Sequence, residues 1–353
     1  ASYALLLHGL GPKRLRASLQ YVIINLVGSG LFLLAAGLFY GVTGTLNMAD
    51  LSYRVSLAEG DELHLLQVAG WILLLVFGLK AAVLPLHFWL PHAYASASIP
   101  VAALFAVMTK VGLYAILRTT GLTFVDVPTF GTGLLFFLAL LTLLVGMFGV
   151  FVSTRLNQML AYLVLISVGT LLAGFSQLSV EALTASFYYL LHSTWVTAGL
   201  FLLAGVLIKQ RQGADDRFVS GPSLHTPARL GILFFLGAIA VAGLPPFSGF
   251  IGKLGLLQAA TGYRAVFFWT VLLLTGFVVI VSLSRAGKIM FWETQSEPST
   301  IAKFSSLEFL CALMLLSSAL WLSVFAEPVL NYCRMTAQQL LNPEMYMQQL
   351  GGE

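Results

Sequence analysis

Two apolar stretches between Gly70 and Arg118 each carry a single lysine well inside them, Lys80 in the first and Lys110 in the second. Both stretches are long enough to cross a bilayer, for which an α-helix needs about 20 residues. A lysine near the bilayer centre costs roughly 2.5 to 3.5 kcal/mol, and such residues usually face a bundle interior or a wet cavity. The pattern therefore predicts membrane helices with a proton or ion path between them.

The remainder of the chain is equally apolar, with 59% hydrophobic and only 9% charged residues. A soluble domain has about 25% charged residues, so the composition indicates an all-α polytopic membrane protein. Hydropathy predicts a partial helix at 1–10 and nine complete ones near 20–40, 69–90, 100–118, 131–152, 157–177, 181–208, 229–260, 264–290 and 305–331.

The loops are too short for a soluble catalytic domain, and we expect a transporter rather than an enzyme. The sequence has no Cys/His cluster with metal spacing and no nucleotide-binding fingerprint, which predicts neither a metal nor a cofactor. The basic residues form no continuous face, so no nucleic-acid partner is expected. The chain starts with apolar residues and without an initiator methionine, and we expect a fragment whose first helices are missing.

Basic residues also predict the orientation in the membrane, because cytoplasmic loops are enriched in Lys and Arg. Helix alternation puts four arginines on one side, Arg54, Arg118, Arg264 and Arg334. The other side holds Lys13, Arg14, Arg16, Arg155, Lys209, Arg211, Arg217, Arg229, Arg285, Lys288 and Lys303. The first loop is therefore predicted to be cytoplasmic and the C-terminus external.

Two proline-containing segments predict interrupted helices. Proline removes one backbone donor and frees the carbonyl four residues earlier. Pro85 should free the carbonyl of Ala81 beside Lys80, while Pro245 and Pro246 should free two carbonyls shortly before Lys253. Unpaired carbonyls at membrane depth need protein or water partners, which predicts a hydrated pocket at each break. The structural alternatives are plain kinks and lysines that reach an interface.

Three histidines are further candidates. His192 lies about eleven residues into an apolar helix and could relay protons, since an unperturbed histidine titrates near pH 6.5. Alternatively, it only links helices by hydrogen bonds. His87 and His92 flank a proline at the predicted cytoplasmic end of their helix, where they could form a proton entry or be ordinary interfacial residues.

Several motifs carry a resemblance to a known family. They are Lys80 before Pro85 with HFWLP at 87–91, MTKVGLYA around Lys110, and GLPPFSGF before Lys253. Together they resemble the antiporter-like family shared by respiratory complex I and the Mrp-type Na+/H+ antiporters. The resemblance implies inverted five-helix repeats with two broken helices. It also implies one transmembrane domain over 1–353, with the end of the first repeat at 1–118, the second repeat at 131–290, and the last helix and tail at 305–353.

Within this family, the segments around Lys110 and His192 are most similar to the D-subunit branch of the Mrp type. Val196 occupies the position where the larger subunits of the family have a second lysine, so His192 stands alone at that step. The resemblance implies a proton relay through Lys80, Lys110, His192 and Lys253. It places the carboxylate partner of Lys80 upstream of Ala1.

The expected function is a proton-conducting subunit of a multisubunit monovalent cation/H+ antiporter in the bacterial cell membrane, with sister subunits as partners and Na+ as the expected cation. The alternative is a proton-pumping subunit of complex I or of a membrane-bound hydrogenase. A third possibility is a scaffold that retains the lysines only for assembly.

Overall fold

The computed structural model describes residues 2–7, 11–124, 127, 130–298 and 306–342. Helices make up most of these residues: α1 Ser2–Leu7, α2 Pro12–Thr43, α3 Met48–Leu57, α4 Gly60–Ala81, α5 Trp89–Ser96, α6 Ile99–Arg118, α7 Thr132–Val152, α8 Leu156–Phe175, α9 Val180–Arg211, α10 Pro227–Ala242, α11 Ser248–Ala259, α12 Gly262–Phe291, α13 Ser306–Val324 and α14 Ala326–Leu341. A π-helical turn at Thr119–Thr123 continues α6, and the short strands β1 Pro222–Ser223 and β2 Gln295–Pro298 pair in parallel.

Eight helical segments among the described residues are long and apolar enough to cross a membrane. They correspond to α2, α4, α6, α7, α8, α9, α12 and α13. The ninth predicted crossing is divided between α10 and α11, which have 16 and 12 residues and are separated by a break at 243–247. The chain is thus a multi-pass membrane protein with interrupted helices.

Helix α8 lies at the centre of the bundle. In its most apolar window 89% of the residues are buried, compared with 22% for α2 and 28% for α13. A helix that is apolar on all sides is expected to be enclosed by other helices. Helices α7 and α9 pack extensively against α8, so a polar side chain on α8 lies deep inside the protein.

The two ends of the bundle differ in charge. We call the end where α2, α6 and α8 begin the basic side, because Arg14, Arg155, Lys209, Arg229 and Lys288 lie there. Contacts between different elements hold this end together. Arg155 pairs with Asp216 at 3.4 Å, and the Arg285 guanidinium on α12 donates to the carbonyl of Phe151 on α7 at 2.9 Å. Lys303, which is predicted on the same side, lies outside the described residues.

The predicted helix at 69–90 was wrong at both ends. Helix α4 begins at Gly60, where Asp61 and Glu62 in its first turn suit the positive end of the helix dipole. It ends at Ala81, and Ala82 adopts a left-handed conformation with φ of 60°. Pro85 therefore lies in a break at 82–88, and α5 completes the crossing.

Three other boundaries differ from expectation. Helix α2 begins at Pro12, eight residues before its predicted start at 20. The predicted loop at 41–68 contains α3, which Asn47 caps by accepting from the backbone N–H of Ala49. The predicted helix at 305–331 is divided into α13 and α14 near Phe325, with Pro328 in the first turn of α14, where a proline needs no backbone donor. The predicted tail beyond residue 342 lies outside the described residues.

Candidate functional site

Lys110 is the most enclosed of the three lysines. It lies in the middle of α6 with 3% of its surface exposed, and its ammonium donates to Oγ of Ser167 on α8 at 2.8 Å. The Ser167 hydroxyl in turn donates to the carbonyl of Val164 at 2.7 Å. Since that hydroxyl hydrogen is already used, the oxygen of Ser167 is free to accept from the lysine.

Lys80 lies in the last turn of α4, immediately before the first break. Its ammonium donates to Oδ1 of Asn25 on α2. Asn25 is buried, and its Nδ2 donates to the carbonyl of Tyr21 at 2.7 Å, which orients the amide oxygen towards α4. The break itself is closed by a different residue, because the indole Nε1 of Trp89 donates to the carbonyl of Leu79 at 2.9 Å.

Lys253 lies in α11, after the second break, and bends back onto the end of α10. Its ammonium donates to the carbonyls of Val241 and Ala242, both at 2.9 Å. These are the two carbonyls that Pro245 and Pro246 leave without backbone donors. A cation at this position also suits the negative end of the α10 dipole.

The backbone at the second break leaves room for this arrangement only because it contains glycines. Gly243 has φ of 82°, and a Cβ there would lie 2.6 Å from Cδ of Lys253. A Cβ on Gly249 would lie 2.1 Å from the carbonyl oxygen of Ala240 and 2.7 Å from Nε2 of His192. The glycines thus allow α11, α10 and α9 to meet at the lysine.

His192 is buried on α9 and faces the start of α11. Its Nδ1 shares a 2.8 Å hydrogen bond with Oγ of Ser248, and its Nε2 borders Gly249. Gly249 and Lys253 are four residues apart and therefore lie on one face of α11. His192 is consequently about one helical turn from Lys253, and the buried Val196 follows one turn later on α9.

The helices that carry the four predicted relay residues pack against one another in the order α4, α6, α9 and α11. Helices α4 and α6 approach closely near Lys80, where a Cβ on Gly112 would lie 2.7 Å from the backbone nitrogen of Ala81. Lys110 borders a groove of about 360 Å³ between α6 and α9, whose α9 wall includes Thr194.

Sequence reasoning missed the groups that bind these residues. Asn25 was detectable as an amide inside the apolar part of a predicted helix, but Ser167 and Ser248 resemble many other serines in this chain. In the described part of the chain, none of the ion pairs involves Lys80, Lys110 or Lys253. Their recorded partners are neutral oxygen atoms.

The two candidate entry histidines are separated. His92, on α5, is exposed in a cavity of about 490 Å³ that Arg16, Gln20 and Ser96 also line. His87 lies in the first break rather than in a helix, and its ring contacts Phe88. Of the two histidines, His92 thus borders a cavity on the basic side.

Over the described ranges, no group of three or more His, Cys, Asp or Glu side chains is arranged to hold a metal ion. Cys311 and Cys333 are both free thiols, the first exposed and the second buried.

Comparisons with known proteins agree with this architecture. A family model described as "NADH:quinone oxidoreductase/Mrp antiporter, TM" matches residues 2–279. The chain is 37% identical to the D-subunit of a Na(+)/H(+) antiporter from Bacillus subtilis, over 99% of its own length and 70% of that protein. It is also 37% identical to the D-subunit of a probable K(+)/H(+) antiporter from Rhizobium meliloti, covering 97% of this chain and 69% of the relative. A chain in the structure of the Mrp complex from Dietzia sp. superposes with a TM-score of 0.84 at 26% identity, covering 98% of this chain and 73% of that one.

Proposed function

This chain belongs to the NADH:quinone oxidoreductase/Mrp antiporter transmembrane family, and we propose that it is the proton-conducting subunit of a multisubunit monovalent cation/H+ antiporter. Protons pass along the row formed by Lys80, Lys110, His192 and Lys253. Sister subunits of the complex are its partners. Relatives named for Na+ and for K+ are equally identical to this chain, so the cation is proposed only as a class, with Na+ as the first to test.

The observation that carries the proposal is the chemistry around the three lysines, of which Lys110 and Lys253 are buried and Lys80 is half-buried. Each is paired with neutral oxygen atoms: the Asn25 amide, the Ser167 hydroxyl, and the carbonyls of Val241 and Ala242. A permanently charged structural lysine would normally be expected to have a carboxylate partner at this depth. Neutral acceptors support the ammonium form while desolvation opposes it, so a change in a neighbouring charge can shift the balance.

The row also gives an order of transfer. The lysine amines and the His192 imidazole can each hold and release a proton, and Ser167 and Ser248 lie hydrogen-bonded beside Lys110 and His192. Moving one charge through the membrane field involves about 2.3 kcal/mol per 100 mV. That is comparable to the net free energy of one hydrogen bond to a charged group, about 1.5 to 3 kcal/mol. The free energy of exchanging one hydrogen-bond partner along the row is therefore similar to that of moving one charge through the membrane potential, so the two processes can be coupled.

The alternative is a proton-pumping subunit of complex I or of a membrane-bound hydrogenase, since the family model covers quinone oxidoreductases as well. The identity of 37% to proteins named as antiporter subunits supports the first function. The two differ in what drives the protons: a cation gradient in the antiporter and electron transfer in the redox pump.

The proposal also includes the orientation of the chain in the membrane. The excess of basic residues supports a cytoplasmic basic side, an external C-terminus and a bacterial cell-membrane location. The broken helices α4–α5 and α10–α11 run in opposite directions across the bundle, which supports their assignment to inverted repeats at 1–118 and 131–290.

The test is transport by the assembled complex in everted vesicles, measured as dissipation of a pH gradient on addition of Na+ or K+ without an electron donor. Lys110→Ala should abolish dissipation while the complex still assembles. Lys288→Ala is the matched control, because Lys288 is an exposed lysine paired with Glu293 at 2.8 Å. Normal transport by Lys110→Ala would overturn the relay. A complex that forms a pH gradient when an electron donor is added, and that dissipates none when Na+ or K+ is added, would favour the redox pump.

A further inference from the structure

Asn25 lies in the apolar part of α2, where only 2% of its surface is exposed. Its side-chain amide makes two contacts: Nδ2 donates to the carbonyl of Tyr21 at 2.7 Å, and Oδ1 accepts from the ammonium of Lys80. Because the donor side of the amide is bound within α2, its acceptor side faces α4. Asn25 therefore offers Lys80 a fixed acceptor that carries no charge.

The same turn of α2 contacts both sides of the first break. Tyr21 and Asn25 are four residues apart and share a face of the helix. Asn25 binds Lys80 just before the break, while the ring of Tyr21 packs on that of Trp89 just after it, with centroids 5.3 Å apart. Trp89 in turn donates to the carbonyl of Leu79 at 2.9 Å. The break therefore stays closed without the contact between Asn25 and Lys80, and that contact serves to place the lysine.

Among residues 11–118, no carboxylate lies close to Lys80. Glu62, in the first turn of α4, is 18 residues away, or about 27 Å along the helix. The other carboxylates of this range are at the same end of the bundle, and α7 and α8 contain none: Asp50, Glu59 and Asp61. In the middle of the elements around Lys80, the ionisable side chains are Tyr21 of α2, His87 of the break, Tyr94 of α5, and Lys110 and Tyr114 of α6. The recorded partner of Lys80 is thus a neutral amide in surroundings without a nearby negative charge.

We propose that Asn25 is a positioning residue, which holds Nζ of Lys80 in place in both the charged and the neutral form of the lysine. An amide oxygen accepts from an ammonium and equally from a neutral amine, which still carries N–H donors. A carboxylate in this place would instead favour the charged form. Lys80 can therefore pass its proton to the next acceptor of the row and take up another without moving away from α2. The inference rests on the proposed function, because it concerns one residue of the same relay.

The first test is Asn25→Asp in the assembled complex, measured as the initial rate of cation-dependent dissipation in the everted vesicles. Lumen and medium start at the same pH, which is varied between experiments. The substitution keeps the shape of the side chain and introduces a negative charge beside Lys80. Since an opposite charge within about 4 to 6 Å favours the charged lysine, transport near neutral pH should slow at least about tenfold. The deficit should shrink as the pH rises, because a higher pH opposes retention of the proton.

The second test separates charge from packing. Asn25→Leu keeps a side chain of similar size but removes the acceptor, so the lysine loses its anchor in both forms. Transport should slow at every pH, and the deficit should shrink as the pH falls, because the ammonium form has lost a hydrogen-bond acceptor. Asn25→Gln retains an amide and should restore most of the rate with the pH profile of the wild type. A residue that only fills space would not give opposite pH trends for Asn25→Asp and Asn25→Leu.

Two comparisons show whether the effect passes through Lys80. Asn47→Asp makes the same chemical change at the N-cap of α3, where Asn47 accepts from the backbone N–H of Ala49 at 3.0 Å. Aspartate caps a helix about as well as asparagine does, so this control should stay within about twofold of the wild type. In a complex that already carries Lys80→Met, adding Asn25→Asp should change the remaining rate by less than about twofold, because the lysine on which it acts is gone.

Transport by Asn25→Asp within about twofold of the wild type at every pH overturns the positioning role. The same pH trend for Asn25→Asp and Asn25→Leu also overturns it and assigns Asn25 to packing alone. Should Asn25→Asp fail to assemble, Asn25→Leu decides, since a wild-type pH profile there excludes the role. If Lys80→Met slows transport while Asn25→Asp does not, the positioning role alone is wrong. If Lys80→Met and Lys110→Ala both transport normally, the proposed function itself fails.

Discussion

The two broken helices hold their lysines in different ways. At the second break, Lys253 lies after the interruption and closes it, with its ammonium on the carbonyls of Val241 and Ala242. At the first break, Lys80 lies before the interruption and reaches away from it to Asn25, while Trp89 binds the carbonyl of Leu79. One lysine is thus a helix cap, and the other is not needed to close its helix.

This difference predicts how the geometry of each break responds when its lysine loses its charge. Discharging Lys253 weakens the closure of α10, so protonation there is linked to the geometry of α10 and α11. Discharging Lys80 leaves the Trp89 contact intact, and the break at 82–88 is expected to keep its shape. We therefore expect the second break to respond to protonation and the first to act as a rigid frame.

The largest expected effect is that of Lys253→Met. It should remove transport and destabilise the complex by about 1 to 3 kcal/mol, because two buried carbonyls lose a charged donor while the desolvation cost of the lysine is relieved. Lys80→Met should also slow transport but cost less than about 1 kcal/mol, since only an amide contact is lost. Thermal unfolding of the purified complex compares them, and equal destabilisation would remove the distinction between the breaks.

Gly249→Ala is expected to have the second-largest effect. Its methyl group would lie 2.1 Å from the carbonyl of Ala240 and must push α11 away from α10, at a cost of about 1 to 3 kcal/mol for overpacking. Transport should fall more than tenfold, because Lys253 and His192 no longer meet. Gly276→Ala in α12 is the control, since the nearest atom to its new methyl group is 3.8 Å away. Normal transport by Gly249→Ala would argue against a tightly fitted second break.

A smaller effect is expected for Trp89→Phe at the first break. The ring contact with Tyr21, with centroids 5.3 Å apart, is retained, but the hydrogen bond to Leu79 is lost, which costs about 1 kcal/mol. Trp269→Phe makes the same chemical change at an exposed site, where Nε1 donates to Leu257 at 2.8 Å. Melting temperatures of the complex should fall for Trp89→Phe only. Equal values for the two variants would show that Trp89 does not close the break.

The smallest effect is expected for Ala82→Gly. Ala82 has φ of 60°, which costs an L-residue about 1 to 2 kcal/mol, and glycine removes that strain while losing about 0.5 to 1 kcal/mol of chain entropy. Stability should therefore stay equal or rise by up to about 1 kcal/mol, with transport unchanged. A clear loss of transport, measured in the same vesicles, would show that the first break is not merely a frame.

Much of this architecture was predictable because its causes are local. Length and hydropathy placed the spans, and the missing donors of Pro245 and Pro246 predicted which carbonyls would need a partner; Lys253 provides it. The position of the first break was predicted less accurately from the sequence. The sequence suggested one helix through Pro85, whereas the end of α4 depends on the left-handed Ala82 and on Trp89, eight residues beyond that helix.

By itself, the sequence determined that this chain crosses a membrane repeatedly, that three lysines lie within its spans and that two of its helices are interrupted, because each of these follows from neighbouring residues. The partners of Lys80, Lys110 and His192 were decided by the tertiary structure alone. Asn25 is 55 residues from Lys80, Ser167 is 57 from Lys110, and Ser248 is 56 from His192. Contacts over such separations depend on which helix faces which, and only the packing around α8 fixes that.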